Sequence, residues 1–183
     1  ALMITFFLFG QDSAILRYFH EKDDDQSRAE LVSSVILNHI GIAVLISTII
    51  YVSLGFIDTI FGFNQQLIEI LPILLMIIPF GVLYSISETV LRVSSNLKGY
   101  LLLTLGFSCA ILMAIICATQ ILSADLVLLF KLYFSAWAVV GLLCILVIRK
   151  WLVLPQNIKI SKKMITYGIP MGMVVFLESS QPV

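Results

Sequence analysis

Long apolar stretches without charge alternate with short polar segments along this chain. Charged residues are absent from 31–57, 70–87, 99–124 and 132–148. A helix needs roughly 17–25 apolar residues to cross the hydrocarbon core of a bilayer, and each stretch reaches or nearly reaches that length. The pattern therefore predicts four membrane-spanning helices.

Two shorter apolar segments lie at the ends of the sequence, at 1–11 and 164–177. We interpret both as spans cut by the ends of the chain, which brings the expected total to about five or six. The first residue is alanine, and the opening segment lacks the basic flank of a signal peptide. The expected fold is an all-α, polytopic transmembrane helical bundle, and the chain is expected to be a fragment of a larger protein.

Composition agrees with the membrane class. Hydrophobic residues make up 60% of the chain and charged residues 12%, with a mean hydropathy of +1.07. Soluble domains have about 45–50% apolar and about 25% charged residues. The formal net charge is zero, so no basic field indicates a nucleic-acid partner. Cys109, Cys117 and Cys144 lie in apolar stretches at spacings that predict neither a disulfide framework nor a metal site.

Basic residues alternate from loop to loop, and this alternation predicts the orientation. Segments 17–30, 92–99 and 149–163 contain three, two and five Lys or Arg residues, whereas 57–69 contains none. Because cytoplasmic loops of membrane proteins are enriched in Lys and Arg, the three basic loops are expected to be cytoplasmic. The segment 57–69 is then the longest loop on the opposite side.

Local signals place the ends of the spans. Ser27 followed by Glu30 is a capping-box pattern just before the apolar run that starts at 31. Pro72 and Pro79 fall inside one apolar stretch and predict a bent helix. Trp151 lies where aromatic residues are expected at the membrane interface.

Ionisable residues at membrane depth are the candidate functional groups, because a charge in hydrocarbon is costly and usually faces a polar cavity. Glu88 and Arg92 are four residues apart in the order that favours an ion pair on one helix face. They are interpreted either as a structural pair or as a charged rim where an anionic headgroup enters. Arg17 is expected at the cytoplasmic interface, where its long side chain reaches water.

Three further residues are candidates for coupling to an ion. Asp12 lies in an apolar segment five residues before Arg17, a spacing that does not place the two on one helix face. Glu178 lies deep in the last apolar segment, and either binds a proton, a cation or a sugar hydroxyl or ends a helix. His39 either relays protons or makes a hydrogen-bonded contact between helices.

Small residues mark the start of the last apolar segment. Gly168 and Gly172 form a small-xxx-small pair with Pro170 between them. Close helix packing and a proline-kinked hinge are both compatible with this pattern.

Several short motifs resemble those of polysaccharide and O-antigen flippases of the multidrug/oligosaccharidyl-lipid/polysaccharide (MOP) exporter superfamily. GQDSAILRYF at 10–19, with LVSS at 31–34, resembles the exit of that family's second span. LR at 91–92 with KGY at 98–100 resembles the connection between its fourth and fifth spans. RK at 149–150 with YGIP at 167–170 resembles its linker and the entry to its seventh span.

The resemblance implies a two-lobe transporter similar to the multidrug (MATE-type) exporters. Residues 1–163 would be most of the N-terminal six-helix lobe without its first span, and 164–183 the start of the C-terminal lobe. Such proteins carry an undecaprenyl-pyrophosphate-linked oligosaccharide across the bacterial or archaeal cell membrane, coupled to a proton or Na⁺ and alongside glycan polymerase and assembly proteins. The resemblance also implies a central, often cationic cavity, and Arg17 and Arg92 match basic positions of the family.

Three other classes of function remain open from the sequence, and one of them, a structural membrane scaffold, would leave the intramembrane charges unexplained. A cation-coupled drug exporter would need a carboxylate cluster in the first span, which is expected to be missing before residue 1, and an aromatic cavity. A membrane-embedded O-antigen polymerase or ligase would need a large outside loop with catalytic residues, and 57–69 contains no basic residue. No covalent chemistry is predicted, so the expected protein is a transporter and not an enzyme.

Overall fold

The computed structural model describes residues 11–121 and 125–153 of this chain. The end segments 1–10 and 154–183 lie outside the described residues, and with them the two additional spans and the boundary at 163. Within the described ranges every regular element is helical, which confirms the all-α helical bundle. The helices are α1 Gln11–Phe19, α2 Asp25–Phe61, α3 Gln65–Val93, α4 Leu97–Ile116 and α5 Leu126–Ile148.

Four of these helices, α2 to α5, are long and apolar enough to cross a bilayer. α4 is extended by a π-helical turn, Cys117–Ile121, and α5 by a 3-10 turn, Arg149–Trp151. The chain is therefore a multi-pass membrane protein, and the four spans correspond to the four apolar stretches.

The start of α2 differs from the capping-box prediction. Asp24, and not Ser27, caps this helix, and its carboxylate accepts a 2.8 Å hydrogen bond from the Ser27 backbone N–H. Ser27 lies in the first turn instead, so this prediction was wrong. Asp24 precedes the apolar run by seven residues. Helix α2 therefore begins with polar turns that lie before the apolar stretch.

The connection between α2 and α3 is much shorter than the predicted loop 57–69. α2 ends at Phe61, Gly62 adopts a left-handed φ of 61°, and α3 begins at Gln65 with Asn64 as its cap. Only residues 62–64 connect the two helices, so the prediction was wrong. At about 1.5 Å per residue the 37-residue α2 measures roughly 55 Å, which exceeds a hydrocarbon core of about 30 Å. Polar residues near its end therefore remain helical outside the core.

α3 occupies the centre of the bundle and contacts each of the other four helices, while α5 packs against α3 and α4. Tyr84, Phe107 and Trp137 contribute one aromatic ring each from α3, α4 and α5, with centroids 4.7–6.1 Å apart. Gly141 of α5 lies under the Phe80 ring of α3, where an added Cβ would come within 2.5 Å of the ring. The absence of a side chain at Gly141 allows this close approach.

The three basic loops meet at one end of the bundle. Ser33 of α2 donates a 2.8 Å hydrogen bond to the Trp151 carbonyl and accepts another of 2.8 Å from the Val153 N–H. The Trp151 ring packs edge-on against Phe19 at the end of α1, with centroids 5.2 Å apart. Ser95, between α3 and α4, borders the same small cavity as Trp151. Trp151 is 3% exposed, so its side chain is buried among the loops. This differs from the expectation of an aromatic residue that faces the membrane interface.

Candidate functional site

An apolar groove runs between α2, α3 and α5 in the half of the bundle away from the basic loops. Its cavity volume is about 410 Å³. This lies within the roughly 300–1,000 Å³ of ligand cavities. No charged residue is among those that line it. Its walls include Val44 and Tyr51 of α2, Met76 and Phe80 of α3, and Phe134 of α5.

Both prolines of α3 line this groove, because their separation of seven residues places them on one helix face. Helix α3 continues through both positions as one element. Proline has no N–H, so Pro72 and Pro79 leave the carbonyls of Ile68 and Leu75 without their helical donors. The groove wall is thus the side of α3 where its backbone bonding is weakest.

Ser47 contributes a second polar feature of the groove wall. The residue is 9% exposed and lines the groove, and its hydroxyl has no hydrogen-bond partner in the described part of the chain. An unpaired buried hydroxyl costs about 1–3 kcal/mol. The hydroxyl oxygen is enclosed by the surrounding packing and does not face the space of the groove.

Glu88, Arg92 and Tyr100 form a cluster at the loop end of α3. The Arg92 guanidinium pairs with the Glu88 carboxylate, as the spacing of the two residues predicts. The Tyr100 hydroxyl of α4 lies 3.4 Å from the same carboxylate, and the guanidinium lies 5.7 Å from the Tyr100 ring centroid. The Arg92 side chain is 60% exposed and that of Glu88 25%. The pair is therefore open to a headgroup, and it also joins α3 to α4.

This cluster and the groove are separate features of α3. Glu88 follows Pro79 by nine residues, which at 3.6 residues per turn places the two on opposite sides of the helix. The resemblance implied a cationic cavity, and the groove that the described residues form is uncharged instead. The described part of the chain therefore combines an apolar groove wall between the spans with ionic groups at the loop end of the bundle.

The remaining predicted residues do not join either feature. The Arg17 side chain is 56% exposed and lies 3.8 Å from the Glu21 carboxylate, one turn further along the chain. His39 is fully buried in α2, and its Nδ1 lies 2.8 Å from the Val35 carbonyl of the same helix. That contact requires the proton on Nδ1, since a carbonyl only accepts.

Other predicted residues lie outside what the structure describes. Asp12 is in the first turn of α1, but its side chain is not among those described. The candidate Glu178 and the hinge residues Gly168, Pro170 and Gly172 also lie outside the described residues. In the described ranges no group of three His, Cys, Asp or Glu residues could hold a metal ion.

Several residues of the two features were not among the sequence candidates. Tyr51, Phe80 and Phe134 line the groove, and Tyr100 completes the ionic cluster. The two prolines seven residues apart were the available signal for the groove, since they mark one face of α3. Nothing in the sequence indicated which faces of α2 and α5 lie opposite that face.

Comparison of the chain with protein-family models, with curated proteins and with solved structures gave no match.

Proposed function

We propose that this protein is a membrane transporter that moves a lipid-linked oligosaccharide, anchored through a pyrophosphate to undecaprenol, from one leaflet of the cell membrane to the other. The observation that supports it best is the uncharged groove between α2, α3 and α5, beside the proline face of α3. A long isoprenoid chain needs an apolar wall along its path. The motifs at the loop ends, which resemble those of polysaccharide flippases, support the same cargo.

Substrate charge separates this proposal from a drug exporter. A cationic drug binds best where a carboxylate faces the cavity, since an unpaired charge in a dry site is costly. The described lining of the groove has no charged residue, which suits the isoprenoid chain of the cargo. A polymerase or ligase is disfavoured by the connection between α2 and α3, since residues 62–64 leave no room there for a catalytic loop.

The test uses the protein in liposomes with a fluorescent polyprenyl-diphosphate oligosaccharide. Val44 lines the groove and its neighbour Leu45 does not, although both are exposed residues of α2. Val44→Trp would fill part of the groove and slow flipping at least about tenfold, which corresponds to a barrier increase near 1.4 kcal/mol. Leu45→Trp is the matched control and leaves the rate unchanged.

Two results would contradict the proposal. Equal rates in both variants would mean that the lipid does not use the groove. Export of a cationic dye without movement of the lipid-linked oligosaccharide would establish the drug-exporter alternative.

The orientation has its own test, because the flipping direction depends on it. In a background with the three native cysteines replaced by alanine, Ser95→Cys and Asn64→Cys place single thiols at opposite ends of the bundle. An impermeant maleimide added to intact cells should label Asn64→Cys only. Labelling of Ser95→Cys instead would invert the proposed topology.

A further inference from the structure

A second, smaller cavity lies at the loop end of the bundle. Its volume is about 190 Å³, and four segments contribute to it: the end of α1, the start of α2, the end of α3 and the 3-10 turn after α5. It is smaller than the 300–1,000 Å³ of cavities that bind drug-sized molecules. The polar and aromatic residues that border it include His20, Asp25, Arg28, Ser95, Lys150 and Trp151.

Arg28 supplies hydrogen-bond donors to this cavity. Its Nε donates to the Lys22 carbonyl at 3.0 Å, and one Nη lies 3.4 Å from the Asp25 carboxylate. The guanidinium has five N–H donors in a fixed fork, and the other Nη makes no hydrogen bond to the part of the chain that the structure describes. The guanidinium carbon also lies over the Phe19 ring, 5.4 Å from its centroid.

Lys150 brings a second positive charge from another part of the sequence. Its ammonium lies 4.1 Å from the centroid of the Trp151 ring, and it forms no ion pair with any carboxylate in the described part of the chain. An ammonium above a tryptophan face is attracted by the ring quadrupole, and the N–H groups that point away from the ring can still donate to an acceptor.

Trp151 forms part of the wall of this cavity. The residue borders the cavity and is 3% exposed, and its indole N–H has no acceptor among residues 11–121 and 125–153. Buried tryptophan N–H groups usually find a partner. The indole nitrogen is itself enclosed, so the groups that can reach a ligand are the guanidinium and the ammonium. Together these two cations match a small, multiply charged oxyanion.

We propose that this cavity binds a phosphate group, carried either by a lipid headgroup or by free pyrophosphate. Phosphate matches the fork of Arg28 and also accepts from Lys150. Among the described residues that border the cavity, Asp25 is the one carboxylate, and together with Arg28 and Lys150 it leaves this lining with a net positive charge. Arg28 and Lys150 each lie within three residues of an apolar stretch, so the site is at headgroup level.

This site rests on the proposed function only for its biological role, which is to hold the phosphate of the cargo at the membrane surface before transport. Binding is measured without transport. A flipping assay that fails while phosphate binding persists would overturn the proposed function alone. Loss of binding in a protein that flips lipid would overturn the site alone.

The experiment uses the intrinsic fluorescence of Trp151 in the whole protein. The chain has two tryptophans, so Trp137→Phe leaves Trp151 as the single reporter. The variant, purified in phosphate-free maltoside micelles, is titrated at constant ionic strength with inorganic pyrophosphate and, in a second arm, with phosphatidic acid. We expect a saturable change in Trp151 emission in at least one arm.

Charge variants identify the residues that bind. Lys150→Gln and Arg28→Gln should each raise the midpoint about tenfold, since each removes a charge-assisted hydrogen bond. Arg28→Lys keeps the charge and loses the fork, so it should raise the midpoint by less. This variant also keeps the test interpretable if Arg28→Gln fails to fold. Lys98→Gln is the matched control, because Lys98 is an exposed cation of the same end that does not border the cavity, and its midpoint should change less than about twofold.

Each outcome decides the question. A response to phosphatidic acid alone supports a lipid headgroup as the source, and a response to pyrophosphate alone supports a soluble one. A response to both supports the phosphate chemistry that they share. No saturable change in either arm, or an equal loss in Lys98→Gln, would overturn the site.

Discussion

Helices α2 and α3 are both long, uncharged through their centres and nearly equal in hydropathy, yet they occupy opposite environments. In the most apolar 18-residue segment of α3, 39% of the residues are buried inside the molecule. In the most apolar 18-residue segment of α2, only 6% are buried. The outward side of α2 has large exposed residues such as Val52 and Phe56, at 77% and 71%. In a membrane both environments are apolar, so similar sequences fit a central helix and a peripheral one.

The difference between the two helices lies in detail at the contact surfaces. α3 packs where a partner offers space, as at Gly141 of α5 under Phe80, and it presents two prolines to the groove. α2 is attached to the bundle mainly near its start, through buried residues such as Leu31 and Val35 and through the bonds of Ser33. Substitutions in α3 contacts should therefore have larger effects than the same substitutions on the exposed side of α2.

The largest effect is expected at Gly141. An alanine Cβ would come within 2.5 Å of the Phe80 ring, so Gly141→Ala should force α3 and α5 apart and cost about 1–3 kcal/mol of unfolding free energy. Gly41→Ala makes the same chemical change on α2, where no heavy atom lies within 4 Å of the new Cβ. Unfolding titrations with a denaturing detergent measure both variants. Equal destabilisation would remove the distinction between the two helices.

Ser33→Ala tests how α2 is attached to the segment after α5. The substitution leaves the Trp151 carbonyl and the Val153 N–H without their buried partner, which should cost about 1–3 kcal/mol. It should also speed hydrogen exchange at the Val153 amide. Ser108→Ala is the control, because the exposed Ser108 hydroxyl bonds only within its own helix. An unchanged exchange rate at Val153 would mean that this attachment contributes little.

The ion pair at the end of α3 should contribute less. A double-mutant cycle of Glu88→Gln and Arg92→Gln is expected to give a coupling near 0.5 kcal/mol, because the Arg92 side chain is 60% exposed and solvent screens the pair. The coupling should fall further when salt is raised from 0.05 to about 0.5 M. A coupling several times larger, and insensitive to salt, would show that the cluster is shielded from water.

The smallest effect concerns the start of α2. The hydrogen bond from the Ser27 N–H lowers the pKa of the Asp24 carboxyl below its ordinary value of 3.8. Because this pKa is lower in the folded state, the hydrogen bond stabilises the folded state fully at pH values above the pKa of the unfolded chain. The stabilisation is lost as the pH falls through the pKa of the folded state. Amide protection in the first turn of α2, which is the exchange rate taken relative to the intrinsic rate at each pH, should therefore decrease below about pH 4. Asp24→Asn, which caps without titrating, should lose that pH dependence, and its persistence would assign the effect to another group.

The amino-acid sequence predicted the positions of the four spans well. Charge-free runs located α2 to α5, and the alternation of Lys and Arg grouped three loops that the structure brings to one end. The spacing of Glu88 and Arg92 predicted their pairing, because residues four apart on a helix are neighbours wherever that helix lies. Helix ends were less accurate, as at Asp24 and at 57–69, because polar residues beyond the hydrocarbon core remain helical.

The groove and the phosphate cavity depended on information that the sequence does not contain. Arg28 and Lys150 are more than a hundred residues apart, and only the packing of the loops brings them to one cavity. The sequence by itself determined that this chain crosses a membrane several times and where each crossing lies. A charged side chain in hydrocarbon is so costly that charges are largely confined to the segments between spans. The tertiary structure decided which helix is central and which residues meet, because side chains that face lipid and side chains that face protein are equally apolar and only shape at each contact distinguishes them.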